Sequence, residues 1–272
     1  MLICSHGVRS VVKYETGRVR PISAERVEEN ASSMITPEEM ANLAQARSRV
    51  YGFLGAVFNR LPDDQFAASL SSPEVATFLS SLGEGEDQSE DMQEGLRLMK
   101  AFIGASKGKP VEELKTELAV ERTRLLRGIK PGYGPPPPYE SVYAATALEA
   151  QGQTTFNVKN IYAAAGAALP DDIHDQPDFI GFELDFMRHL TEKEAQAWAG
   201  GNAEEVMKLT EKERAFLEEH ILCWVPRFCD LMFEQAQLDF YRGIARLTKG
   251  FVQGELQTAA ELINEARAMQ EV

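Results

Sequence analysis

Glu183 is a carboxylate set among apolar neighbours. In DFIGFELDFMRHL, residues 178–190, helical spacing of about 100° per residue gathers Phe179, Phe182, Phe186 and Leu190 with Ile180, Leu184 and Met187 into one broad apolar arc. Asp185 and Arg188 fall outside that arc, whereas Glu183 projects from within it, between Phe179 and Met187. An isolated carboxylate there costs several kcal/mol of desolvation or takes up a proton. The pattern therefore predicts a partner. It is either a hydrogen bond or ion pair from another helix, or a cationic ligand met in a groove.

A second group of chemically capable residues follows the prolines of GIKPGYGPPPPYESVY, residues 128–143. Proline lacks the backbone N–H and fixes φ, so Pro131 is expected to end the helix before it. Pro135 to Pro138 are expected to form a stiff polyproline II rod. Such a rod either delivers Tyr139, Glu140, Ser141 and Tyr143 to one defined place as a peptide-reading edge, or serves as a rigid turn packing two helices together.

Nothing in the chain supplies a known catalytic arrangement. There is no phosphate loop ending in Lys-Ser/Thr, no Gly-x-Ser-x-Gly and no His-Glu-x-x-His. Ser141 has no histidine near it in sequence. His220, one turn from Trp224, has no second ligand at metal spacing and reads as a packing histidine. The cysteines Cys4, Cys223 and Cys229 fit neither a zinc site nor a disulfide framework. No metal, cofactor or catalytic residue is expected, and the distinctive residues suit a binding surface. An enzyme with a spatially assembled site and a purely structural helical scaffold are the alternatives.

Charge narrows the partner. With 28 Lys and Arg against 42 Asp and Glu, the net charge is −14. That surface repels a phosphate backbone, so no nucleic-acid partner is expected, while its field favours basic ligands. No apolar run reaches the roughly 20 residues needed to span a bilayer, so no stable membrane insertion is expected. The N-terminus lacks a continuous apolar segment and a small-residue cleavage site. A cytoplasmic protein is expected.

The elements that must position these residues read as all-α. Residues 1–33 show no periodic apolar face and are expected to be a poorly ordered extension, with Met34 a candidate initiator. Thr36-Pro37-Glu38-Glu39 combines a cap, a first-turn proline and first-turn acids, and so starts a helix. Further helices follow from Pro73 and Pro110, from about Glu140, and from about Asn157 to Leu169, with Glu84–Asp91 a solvated acidic loop. Pro226 is expected to begin a new helix after a bend at Trp224. The prolines and acids of residues 170–177 suggest a hinge. The expected organisation is an N-terminal helical subdomain over 34–170, a hinge loop over 171–177 and a C-terminal helical subdomain over 178–272. Such a hinge admits a monomer or a domain-swapped dimer.

Three stretches, RLLRGIKPGYGPPPPYESVY, PDFIGFELDFMRHL and FLEEHILCWVPRFCDLMFEQAQLDFYRGIARLTKGF, together resemble the signature regions of the TorD/DmsD family of molybdoenzyme maturation chaperones. The resemblance covers about Met34 to the C-terminus and rests most on Pro-Tyr-Glu-Ser-Val-Tyr and Glu-Leu-x-Phe-Met. It implies a TorD-like helical bundle without enzymatic activity. It further implies binding of the twin-arginine signal peptide and apoprotein of a molybdopterin-containing oxidoreductase, which assists cofactor insertion and delays export. Mapped onto this chain, Glu140, Asp178 and Glu183 would receive the guanidinium groups, and Tyr139, Tyr143 and Phe182 the apolar part, with Ser141 between them. The chain departs from the family pattern where Phe179 follows Asp178 in place of histidine, and where Arg122 and Leu125-Leu126 replace aromatic positions.

A chain beginning at Met34 should keep its helical content and melting temperature, because residues 1–33 carry no core periodicity. Circular-dichroism melts check this; a loss of more than a few degrees would show that the segment packs on the domain.

Overall fold

Thr36 opens the first helix through a reciprocal pair of bonds: its hydroxyl accepts from the Glu39 N–H at 3.2 Å, and the Glu39 carboxylate accepts from the Thr36 N–H at 2.8 Å. The structure, a computed structural model, describes residues 36–83, 88–128, 132–143, 148–167 and 175–270. The extension 1–33, Met34, Pro131 and most of the hinge segment lie outside the described residues.

Helices follow one another as α1 (Pro37–Asn59), α2 (Asp64–Ser69), α3 (Pro73–Ser81), α4 (Glu90–Ala105), α5 (Val111–Leu126) and α6 (Glu140–Tyr143). They continue as α7 (Leu148–Ala164), α8 (Ile180–Ala199), α9 (Ala203–Phe216), α10 (Leu222–Gln235) and α11 (Asp239–Gln270). Among the described residues there is no strand, only an isolated antiparallel bridge between Tyr139 and Phe179. The all-α expectation holds.

Three local expectations are corrected. The acidic loop ends earlier than Asp91, because the Ser89 hydroxyl caps α4 and Glu90 and Asp91 then favour its positive N-terminus. The helix expected over 157–169 is α7, which starts at Leu148 and stops at Ala164. Gly166, at φ +72°, closes it: the Ala167 N–H bonds back to Tyr162 O at 2.9 Å and the Gly166 N–H to Ala163 O at 3.0 Å. Pro226 begins nothing; it lies inside α10. The register loosens one turn ahead of it, in a π-helical turn over Leu217–Ile221, where the Leu222 N–H reaches back to Leu217 O.

Packing places α1 along α8 and α4 along α11, with α9 and α10 also against α11. Apolar side chains on both sides of residues 170–177, such as Tyr51, Phe58 and Leu125 before and Trp198, Trp224 and Phe228 after, belong to one core. Arg122, at a position where the resemblance has a ring, is buried there and donates to Phe58 O.

A cluster of charged side chains also sits among them. Arg47 of α1 meets Glu194 of α8 at 2.6 Å, Glu213 of α9 at 2.5 Å and Glu255 of α11 at 3.0 Å, all four side chains buried. Burial disfavours the guanidinium charge, yet the carboxylates outweigh it and hold Arg47 above its ordinary range. Burial pushes Glu213 and Glu255 upward despite Arg47. A raised carboxyl stabilises the fold below its unfolded value, and that contribution is lost as pH rises through the folded one.

Replacing Arg47 by Met should therefore cost about 3–5 kcal/mol. The deficit should be smaller near about pH 5, where the orphaned carboxylates can stay protonated, than near about pH 8. Urea denaturation at both pH values decides; equal deficits would mean that the cost is packing alone.

Candidate functional site

The prolines do not run as a straight rod. The chain bends at Pro135, Pro136 and Pro138. It folds back on the end of α5 because Gly134 has no side chain: a Cβ there would lie 2.1 Å from Arg124 O. Arg124 Nη1 also donates to Tyr133 O at 3.2 Å. The segment is thus a bent strap with its far end stitched to the start of α8. Glu140 N–H bonds to Asp178 O at 2.9 Å, and Ile180 N–H to Pro138 O at 3.0 Å.

Asp178 is the knot of this junction. One carboxylate oxygen accepts from the Ser141 N–H at 3.0 Å and the other from the Thr155 hydroxyl of α7 at 3.0 Å. Asp178 therefore ties strap, α6, α7 and α8 together. Its neighbour Glu140 accepts His220 Nδ1 at 2.9 Å, and the His220 ring stacks on Phe216 with centroids 4.8 Å apart. The reading of His220 as a satisfied packing histidine holds, though its partner is a candidate site residue.

Glu183 is fully buried, as its place in the apolar arc requires. Its Oε2 accepts from the Trp224 indole N–H at 3.0 Å, while its Oε1 is buried with no hydrogen-bond donor. Burial, then the nearby Glu140 charge, raises its carboxyl well above the usual range. Glu140, Asp178 and Glu183 are 5 %, 0 % and 0 % exposed, so all three form a sealed acidic cluster rather than an open groove.

The aromatic candidates surround it. Tyr139 donates to Asp175 at 2.8 Å, and its ring lies 5.4 Å from Phe179. Burial and then Asp175 push its phenol up to about 12. Tyr143 donates to Pro136 O at 2.6 Å and lies 5.4 Å from Trp224. Phe182 is buried beside Phe179 at 5.7 Å. Val142 of α6 and Phe156 of α7 leave apolar surface exposed. All seven candidates thus meet at one junction, Ser141 through its backbone. Sequence reading missed Thr155 and Tyr162, whose hydroxyl donates to Pro177 O at 3.0 Å. Nothing in the spacing marked α7 as reaching Asp178. A cleft of about 440 Å³ lies elsewhere, between Ala56, Asn59, Arg60 and Arg188, and none of the seven line it.

Chemically the cluster offers hydrogen-bond acceptors. The nearby Cys223 sulfur donates to His220 O, and burial, then Glu140 and Glu183, pushes its thiol up to about 12, so it is not the thiolate a nucleophile must be. No three His, Cys, Asp or Glu side chains group as a metal would need, and no helix is long and apolar enough to cross a membrane, among the described residues.

Comparison with known proteins gives a consistent picture. A family model described as nitrate reductase delta subunit matches residues 84–230, which include the strap, Asp178, Glu183, His220 and Trp224. The chaperone protein TorD of Vibrio cholerae serotype O1 is 25 % identical over 228 residues, covering 84 % of this chain and 98 % of its own. That of Aliivibrio fischeri is 22 % identical over 222 residues, covering 82 % and 98 %. These relatives are named as chaperones, not enzymes.

Asp178→Asn should loosen the junction, because an amide nitrogen then faces a donor and one acceptor is lost. The expected cost is about 1–3 kcal/mol. Hydrogen exchange at the Ser141 amide should quicken more than exchange in α8; unchanged protection there would show that Asp178 does not hold α6.

Proposed function

The chain belongs to the nitrate reductase delta subunit family, with the TorD/DmsD-type maturation chaperones, and from that premise we propose that it captures the twin-arginine leader and apoprotein of a molybdopterin-containing oxidoreductase in the cytoplasm. Holding the leader delays export while the client receives its cofactor.

The observation that carries this reading is the gathering of Glu140, Asp178 and Glu183 by the strap and α8, with Trp224 and Tyr143 against them. A guanidinium is a planar set of donors and suits carboxylates held at fixed positions. The apolar stretch after the arginines suits Tyr143 with the exposed Val142 and Phe156. The net charge of −14 steers a basic leader toward the protein.

Burial of the carboxylates sets a condition on capture: α6 must shift to admit the guanidinium. It is a single turn, anchored through Glu140 N–H, Ser141 N–H and the strap. In a dry site, an ill-fitting donor leaves buried acceptors unpaired, which is how such a site discriminates.

Titration calorimetry with a leader peptide and its Arg-Arg→Lys-Lys version tests this. Wild type should bind the arginine peptide about tenfold or more tightly, one charge-assisted contact contributing roughly 1.5–3 kcal/mol. The preference should shrink in Glu140→Gln. Equal affinity for both peptides, unaltered by that substitution, would rule out these carboxylates as the arginine receptor.

A further inference from the structure

Glu183 Oε1 is buried without a donor, and its Oε2 accepts from the Trp224 indole N–H. A carboxyl so placed is held in its protonated form, because burial disfavours the charge and no cation offsets it. Among the described residues, the ion pairs of Glu140, Asp178 and Glu183 amount to one, His220 with Glu140. Among the described residues, three buried carboxylates therefore face a single group able to be cationic. The other titratable neighbours described add no positive charge: Tyr162 of α7, Asp185 of α8 and Cys223 of α10 are neutral or acidic.

We propose that Glu183 keeps its proton in the free protein and releases it to solvent when a leader guanidinium enters, so that capture is coupled to proton release. The coupling rests on the reading of this cluster as an arginine receptor. The chemistry balances: the O–H bond of Glu183 breaks, water or buffer takes the proton, and the guanidinium supplies the positive charge that the proton had supplied. The raised carboxyl of Glu183 accords with this state. His220, 9 % exposed and beside exposed Cys223, marks the side on which the cluster nears solvent.

A sign follows. A complex that holds one proton fewer tightens as pH rises, by about tenfold per pH unit while the free Glu183 carboxyl is protonated and the bound one is not. In the free protein, a proton kept by the fold but lost by the unfolded chain makes stability fall as pH rises above the ordinary carboxyl value. Glu183→Gln removes the first dependence and the Glu183 share of the second, since its amide does not titrate, whereas the raised Glu213 and Glu255 carboxyls keep theirs.

Calorimetry of the full chain with the Arg-Arg leader peptide, in buffers of different ionisation enthalpy, reads the proton directly. Wild type should release about one proton per peptide. Glu183→Gln should release none, and thermal melts of Glu183→Gln should show a shallower downward slope than wild type between about pH 5 and 8. Capture with the same heat in every buffer overturns the coupling and leaves the arginine receptor standing. Equal release by wild type and Glu183→Gln places the proton elsewhere and also overturns it. A chain that binds neither the Arg-Arg peptide nor its Lys-Lys version overturns receptor and coupling together.

Discussion

Arg47 is one cation shared by carboxylates from three helices other than its own, in an interior that excludes water. Separating α1, α8, α9 or α11 would leave bare charge in an apolar medium. Such a network contributes little net stability relative to well-packed apolar side chains, but breaking it from one side is costly. It therefore penalises misplacement of α8 in particular. Trp198 adds a second constraint, its indole N–H donating to Glu194 at 2.8 Å, so the carboxylate is held from both sides. With α8 fixed, its N-terminal turn brings Glu183 and the preceding Asp178 to the strap.

The two acidic clusters differ in what balances them. Around Arg47, three carboxylates surround a resident guanidinium bound on three of its edges. Around Glu183, the acceptors meet an indole N–H, a backbone N–H, a hydroxyl and an imidazole, and one oxygen meets nothing. The first has its guanidinium in place, although Glu213 Oε1 there also lacks a donor. The second has the carboxylates of the first without its guanidinium, and that unmet demand for donors is what an arginine-bearing ligand would satisfy. Burial sharpens that demand, because exposed carboxylates would be hydrated and would meet it with water.

The strap connects these energetics to access. Proline removes donors from this segment, so few backbone bonds hold it, and those that do converge on Asp178 and its neighbours. Arg47 thus holds α8 near its C-terminal end through Glu194, and Asp178 ties the strap, α6 and α7 to its N-terminal end.

Much of this was legible in the sequence. The helix start at Thr36 follows from local hydrogen-bonding chemistry, and the apolar arc of residues 179–190 follows from helical spacing, neither of which needs the rest of the chain. Glu183 was marked as buried and partnered because a carboxylate within such an arc has no other stable state. The strap's bends were not legible, since they depend on Gly134 meeting the Arg124 carbonyl, more distant in structure than in any local rule. Nor was the continuity of α10 through Pro226, which a π-helical turn accommodates. Arg47 carried no local signal at all: its partners lie 147, 166 and 208 residues away, and only the packing of four helices brings them together. The sequence by itself determined which surfaces must be buried and which charged groups would then need partners. Tertiary structure alone decided which partners they found, because burial is a local property of a helix face whereas pairing depends on where every other helix comes to rest.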